Sequence, residues 1–351
     1  MNKNIHIEKS NELNIEIKQG ILTMKSLEYL AEDGLLLEIF VSKLKLHETI
    51  SALIHINCNP DLNCAQCINI PDSSSIQELQ GSAFGFLGNL AYDNRSAEDY
   101  LVANHETFEH IYPIINLFSK HSTSLSSQLV QQSSSTSHQL ILPTRSNLEG
   151  ALFLLLNLTY GKQYQHELFN STPGIIDSFY FLMNFDMQRS VNKVMNIQSA
   201  WIRECSITCL NLSWHYGNEE TKKLMIQDQR FIKLQIKGIS TVGGIKEENI
   251  KVITCILSDM IQKYKIINEG TSEQLKNIKK SLIEEEIEQQ GGQEEISAHE
   301  FNTIDGIYQP AIELRYKMGN TFIWYDSLIN KLNWRINFLE QGGFEIVYIQ
   351  Q

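Results

Sequence analysis

The chain has 351 residues, a formal net charge of −12, 42% hydrophobic residues and a mean hydropathy of −0.22. This length exceeds the roughly 250–300 residues of a single compact core, so we expect two domains or one elongated array. The acidic balance argues against a nucleic-acid binder or a binder of anionic membranes, because both need a basic face. The longest apolar run, 151–156, is far shorter than the ~20 residues of a membrane span.

The composition predicts an all-α protein. Only six prolines occur in the chain, and Leu, Ile, Asn, Gln and Glu are abundant. No secretory signal is visible at the N-terminus, so we expect the six cysteines to be reduced. The predicted location is cytoplasmic, with nuclear or cytoskeletal association as alternatives.

The first part of the chain has a weak pattern. Residues 1–25 are predicted as an N-terminal arm, because the alternating stretches 5–8 and 13–18 favour either edge strands or a frayed arm. Helical spacing begins at residue 26 and continues to about residue 56. Residues 57–75 hold two prolines and a serine run, which predict a loop.

Three predicted helices then end in the same pattern, in which a small residue lies six positions before an Asn-Leu pair and an aromatic residue follows. The copies are 83–92, 151–160 and 205–214. Their asparagines are Asn89, Asn157 and Asn211, and their terminal aromatic residues are Tyr92, Tyr160 and Trp214. A second apolar segment follows each copy, and this self-similarity indicates a stacked repeat. Two of the small residues that start the copies, Ala151 and Cys205, are predicted to be buried where neighbouring helices meet.

Between the first two copies, residues 108–118 predict a helix that is interrupted near Pro113. Residues 122–137 are almost wholly Ser, Thr and Gln without charge, so we predict a mobile insertion at about 120–140.

The repeat pattern weakens towards the C-terminus. The predicted repeat region therefore covers residues 26–265. Residues 266–300 are rich in glutamate and predict an exposed, acidic helical linker. Residues 301–351 are rich in aromatic residues and predict a C-terminal helical segment.

The three Asn-Leu helix ends resemble those of armadillo repeat proteins, over residues 76–118 and 147–239. The resemblance implies a right-handed superhelical solenoid of three-helix repeats, each of about 42 residues. In that family the asparagine faces a concave groove and hydrogen-bonds an extended peptide. The resemblance therefore implies that Asn89, Asn157 and Asn211 line one groove, with the three terminal aromatic residues beside them. The alternative is that each amide bonds carbonyls at its own helix end.

The function that this resemblance implies is a non-enzymatic scaffold or adaptor that binds an extended segment of a protein partner. One alternative is a helical-repeat regulator of an enzyme partner, of the exchange-factor or chaperone-cofactor type. Another is a divergent nuclear-import adaptor. Import adaptors place a tryptophan one turn before the asparagine, where this chain has Gly85, Phe153 and Ile207. That departure counts against recognition of basic localisation peptides.

No catalytic motif is present in the sequence, since no His-Glu-x-x-His helix and no Walker phosphate loop occur, and no cofactor is predicted. One group of metal-binding residue types is His55, Cys58, Cys64 and Cys67. Cys64-x-x-Cys67 has the spacing of half a zinc site, but the other half would have to fold back across the loop at Pro60. We therefore favour reduced loop thiols over a zinc site.

Overall fold

The computed structural model describes residues 2–92, 94–127, 142–160, 174–185, 193–218, 220–222, 225, 229–240, 249–269, 280–300 and 306–318. Within these ranges the chain is helical and has no β-strand, and a single isolated bridge joins Ile56 to Ile68. The prediction of an all-α protein is therefore confirmed for the part of the chain that is described. The chain divides into two compact units, unit 1 (Met1–Leu234) and unit 2 (Gln235–Gln351).

The α-helices of unit 1 are α1 (Asn2–Leu30), α2 (Gly34–Glu38), α3 (Leu46–Ile50), α4 (Ser74–Tyr92), α5 (Arg95–His105), α6 (Thr107–Ser127), α7 (Arg145–Tyr160), α8 (Ile175–Leu182) and α9 (Lys193–Tyr216). A π-helical turn, Ile39–Lys43, follows α2, and two 3-10 turns, Ser51–His55 and Pro60–Leu62, follow α3. The helix α10 (Gln229–Ile239) crosses the division between the units. Unit 2 continues with α11 (Ile250–Glu269), α12 (Lys280–Gln289), α13 (Gly292–His299) and α14 (Tyr308–Lys317).

The N-terminal residues form a long helix, so the expectation of edge strands is wrong. The alternation over 13–18 does not mark a buried face, because Leu13 and Ile15 are exposed. The buried residues are instead Ile17 and Ile21, which lie one helical turn apart and pack with Ile76 of α4. A helical face that meets another helix therefore decides the conformation of this segment.

The three helices that carry the Asn-Leu ends, α4, α7 and α9, pack in chain order. α1 contacts α4, α4 contacts α7, and α7 contacts α9. The small residues Ala151 and Cys205 are buried, as predicted, and Ala83 is buried as well. An ideal Cβ at Gly150 of α7 would lie only 2.0 Å from the carbonyl oxygen of Gly81 in α4. The two backbones approach this closely because neither residue has a side chain.

The helix α6 runs through Pro113 without the predicted interruption. The carbonyl that lacks its helical donor at this proline belongs to Glu109, which is exposed, so water can satisfy it. Residues 122–127 of the predicted mobile insertion belong to α6. The remainder of that insertion, 128–141, lies outside the described residues.

Unit 2 has its own core. α11 packs against α14, and α13 contacts both α12 and α14. Ile283, Ile287 and Ile296 are buried, so the described part of the predicted linker 266–300 is not an exposed connection but packs within this unit. Most of the predicted aromatic segment 301–351 lies outside the described residues. No helix in the described ranges is both long and apolar enough to cross a membrane.

Candidate functional site

A cavity of about 810 Å³ lies in unit 1, between residues 54–62, the first half of α4, the first half of α6 and the start of α7. The charged side chains that line it are acidic: Asp61, Asp72 and Glu109. No Lys or Arg occurs among the described residues that line it. Asp61 and Glu109 are exposed to solvent, whereas Asp72 accepts a hydrogen bond of 3.1 Å from the side chain of Gln77.

Buried amide side chains form the inner part of the cavity wall. Gln80 Nε2 donates to the carbonyl oxygen of Ile56 at 3.1 Å, and Asn147 Nδ2 donates to Gln80 Oε1 at 3.2 Å. Gln77 Oε1 accepts from the backbone N–H of Thr144 at 2.6 Å. These bonds join α4 to the preceding loop and to the start of α7. Asn147 Oδ1 is buried and has no hydrogen-bond partner within the described ranges.

A cluster of histidine and cysteine side chains adjoins this cavity, since Cys58 and His110 contribute to both. His55 Nδ1 lies 3.2 Å from His110 Nε2 and 3.2 Å from Cys64 Sγ. Cys58 completes the group, and the four ligand atoms all lie within 4.8 Å of one another. Both histidines are buried and both cysteines are half-buried. Two imidazoles and two thiols are a donor set that can hold a metal ion.

Each histidine of the cluster uses its second ring nitrogen in another contact. His110 Nδ1 lies 2.9 Å from the carbonyl oxygen of Glu106, and it must carry the hydrogen because a carbonyl only accepts. In the neutral ring, His110 Nε2 then has a lone pair that faces His55. His55 Nε2 lies 2.8 Å from Nδ1 of His105.

Burial opposes the charged forms of His55, His105 and Cys58. Burial, followed by the neighbouring His110 and His105, lowers the pKa of His55 to about 4. Burial and then His110 also lower the pKa of His105. Burial, together with hydrogen bonds to the thiols of Cys67 and Cys64, raises the pKa of Cys58. His55 therefore presents a nitrogen donor without carrying positive charge at neutral pH.

The structure brings together three members of the group that the sequence singled out, His55, Cys58 and Cys64. The fourth, Cys67, lies beside Cys58, and its thiol donates to Asn69 Oδ1 at 3.5 Å. His110 was missed because it lies 55 residues from His55 along the chain. One signal for it existed: His105-x₄-His110 has the spacing of a histidine pair in a Cys₂His₂ site.

The predicted groove asparagines have different surroundings. Asn89 Nδ2 donates to the carbonyl oxygen of Glu28 in α1 at 3.1 Å. Asn157 is only 4% exposed and donates to the carbonyl oxygen of Phe153 in its own helix at 2.9 Å. Asn211 is partly buried, and its Oδ1 has no partner within the described ranges. Asn157 therefore makes the helix-end hydrogen bond that was the alternative to a groove role.

The aromatic residues predicted to contact a partner also differ in exposure. Trp214 is completely buried, which gives it a role in the core instead of on a binding surface. Tyr92 is 54% exposed. The side chain of Tyr160 lies outside the described part of the chain.

The change Asn157→Ala should lower the free energy of unfolding by about 0.5–1.5 kcal/mol, because a buried intramolecular hydrogen bond is lost. Asn211→Ala is the matched control and should cost less, since its Oδ1 already lacks a partner within the described ranges. Urea unfolding of both variants measures the difference. An equal or larger loss for Asn211→Ala would contradict the buried, bonded position of Asn157.

Comparison with models of protein families gave no match, and comparison with curated proteins gave none. The armadillo resemblance therefore rests on the three helix ends at 83–92, 151–160 and 205–214.

Proposed function

We propose that unit 1 is a non-enzymatic interaction scaffold with an armadillo-like arrangement of helices, and that it binds an extended segment of a protein partner in the cavity beside α4 and α6. The segment carries lysine or arginine next to apolar side chains. The observation that carries this proposal is the lining of the cavity, with acidic groups at exposed positions and amides in the buried wall.

The packing of successive helices supports the repeat arrangement. In a stacked repeat protein, equivalent helices of neighbouring repeats contact one another. The helices α4, α7 and α9 share one terminal pattern and contact each other in chain order, while α6 contacts α8 in a parallel series. α1 extends the first series by packing on α4.

The charges favour a cationic occupant. Asp61 and Glu109 are exposed at the cavity, the described lining residues include no Lys or Arg, and the whole chain has a net charge of −12. Such an arrangement attracts a cationic ligand and disfavours an anionic one. Ile54, Ile76 and Phe108 supply apolar lining, so the occupant must present apolar groups as well.

An extended segment also suits the polar wall. An extended backbone has N–H groups that are not engaged in its own secondary structure, and the half-buried side-chain amide of Asn116 in the cavity lining can accept one of them. This amide lies on α6, whereas the sequence predicted the groove at Asn157 near the end of α7. The proposal therefore keeps recognition by amides and assigns it to different residues.

The test is selection from a random peptide display library on the immobilised full-length chain, followed by affinity measurements on a selected synthetic peptide. We expect enrichment of Lys or Arg flanked by apolar residues. The double change Asp61→Asn with Glu109→Gln should weaken binding about two- to thirtyfold, because exposed charge pairs contribute about 0.2–1 kcal/mol each. The matched control is Glu16→Gln with Glu32→Gln, two exposed acids that do not line the cavity.

Three results would contradict the proposal. If the selected peptides show no preference for basic residues, the acidic lining of the cavity does not contribute to recognition. Equal weakening by the cavity pair and the control pair would show a general charge effect. Binding that appears only after deletion of residues 128–141 would mean that a segment of the chain itself occupies the cavity.

A further inference from the structure

We infer that His55, Cys58, Cys64 and His110 bind one zinc ion, through His55 Nδ1, His110 Nε2 and the two thiolates. This site does not depend on the proposed scaffold function, and it can exist whether or not the cavity beside it binds a peptide.

The donor positions fit a single tetrahedral ion. Zinc–nitrogen bonds of about 2.0–2.1 Å and zinc–sulfur bonds of about 2.3 Å place neighbouring donors roughly 3.3–3.8 Å apart. His55 Nδ1 already lies 3.2 Å from both His110 Nε2 and Cys64 Sγ. All four donor atoms lie within 4.8 Å of one another, so about 1 Å of contraction at the widest pair completes the tetrahedron.

The outer contacts orient both imidazoles as metal ligands. A ligating histidine ordinarily donates its other ring N–H to a carbonyl or a similar acceptor, which selects the tautomer. His110 Nδ1–H donates to the carbonyl oxygen of Glu106 at 2.9 Å, which leaves Nε2 for the metal. His55 Nε2 lies 2.8 Å from Nδ1 of His105, and donation in that direction leaves His55 Nδ1 for the metal.

A cation also resolves an unfavourable contact. With both outer N–H groups donating outward, His55 Nδ1 and His110 Nε2 present two lone pairs to each other at 3.2 Å. A zinc ion between them and the sulfur atoms converts this repulsion into two bonds. Two sulfurs and two imidazole nitrogens suit zinc, whereas magnesium and calcium prefer oxygen ligands.

The expected role of the ion is structural. Four protein ligands leave no open position for water or substrate. The ligands come from the 3-10 turn Ser51–His55, from the loop that follows it and from α6, so the ion would join three separate segments. The loop 56–70 contains one short 3-10 turn and is closed by the bridge between Ile56 and Ile68. Metal binding adds to folding stability when it holds such a segment.

Cys67 provides a matched control within the same loop. It lies beside Cys58 but outside the group of four, and its thiol donates to Asn69 Oδ1. Cys64→Ser and Cys67→Ser make the same chemical change three positions apart. Only the first removes one of the four ligands.

The experiment measures metal content and metal geometry in the full-length chain after equilibrium dialysis against zinc alone, with native mass spectrometry for stoichiometry. We expect about one zinc per chain in the parent and in Cys67→Ser, and at least a tenfold lower occupancy in Cys64→Ser and His110→Ala. The chain reconstituted with cobalt should show the intense visible absorption of a tetrahedral cobalt–thiolate site. A chelator should lower the melting temperature of the parent and leave that of Cys64→Ser unchanged.

Circular dichroism of each variant separates loss of metal from loss of fold. The cobalt spectrum of the parent tests the site even if a variant does not fold. A parent that binds no zinc, or cobalt with an octahedral spectrum, would overturn the inference. So would equal metal loss in Cys67→Ser and Cys64→Ser. In those cases the cluster is a hydrogen-bonded network, in which His55 Nδ1–H donates to His110 Nε2.

Discussion

Replacement of Gly150 by alanine should lower the free energy of unfolding by about 3 kcal/mol, because the new methyl group has no space between α4 and α7. An ideal Cβ there would lie 2.0 Å from the carbonyl oxygen of Gly81 and 2.7 Å from its carbonyl carbon. Alanine favours a helix over glycine by about 1 kcal/mol, but this gain is smaller than the cost of separating two backbones. Thermal unfolding should show a decrease in melting temperature of about 6–12 °C.

Two other glycines serve as controls. Gly34→Ala should leave stability unchanged or raise it by about 0.4–1 kcal/mol, because a Cβ at Gly34 meets nothing within 4 Å. Gly85→Ala should have an intermediate effect, since its Cβ would meet the carboxylate of Glu28, a side chain that can move. If Gly150→Ala melts like Gly34→Ala, the close contact between α4 and α7 is wrong.

Removal of the carboxylate at position 259 in unit 2 should cost about 3–5 kcal/mol, because it leaves the charge of Lys263 buried without its ion pair. The two side chains form this pair one turn apart on α11, with side-chain exposures of 1% for Asp259 and 5% for Lys263. Gln235 also donates to the Asp259 carboxylate. The double change Asp259→Ala with Lys263→Met should recover most of the loss, since no buried charge remains. Urea unfolding of the two singles and the double measures the coupling, and additive losses would contradict a paired, buried charge.

The cost of Asp259→Ala should depend on pH. Burial, opposed by the attraction of Asp259, lowers the pKa of Lys263 from 10.5 to about 8 in the folded protein. The unfolded state therefore binds more protons between these values, so this residue makes the folded protein more stable as pH rises through that window. Without Asp259 the folded pKa should fall further and the window should extend to lower pH. The unfolding free energy of Asp259→Ala should then rise between pH 6 and 8, and the double variant should lack this rise.

The positions of the main helices could be predicted from the sequence because their signals are local. The repeated ends at 83–92 and 151–160 lie in α4 and α7. Asn94 begins α5 by accepting from the backbone N–H groups of Ser96 and Ala97, a pattern that neighbouring residues alone determine. The predicted burial of Ala151 and Cys205 rests on the same repeated pattern.

Contacts between segments that are distant along the chain decided the features that the sequence alone did not predict. Residues 13–18 alternate like a strand, yet they are helical because Ile17 and Ile21 meet α4. The amide of Asn157 is directed to its own helix, a choice between two hydrogen-bond partners that the residue type leaves open.

In the histidine–cysteine cluster, some positions follow from local sequence and one depends on a contact between distant segments. The sequence by itself determined that His55, Cys58 and Cys64 lie near one another, because they occupy one short loop and the turn before it. Only the tertiary structure brought His110 from α6 to within 3.2 Å of His55. The reason is physical: spacing along a chain limits distances over about ten residues, whereas the meeting of residues 55 positions apart depends on how helices pack.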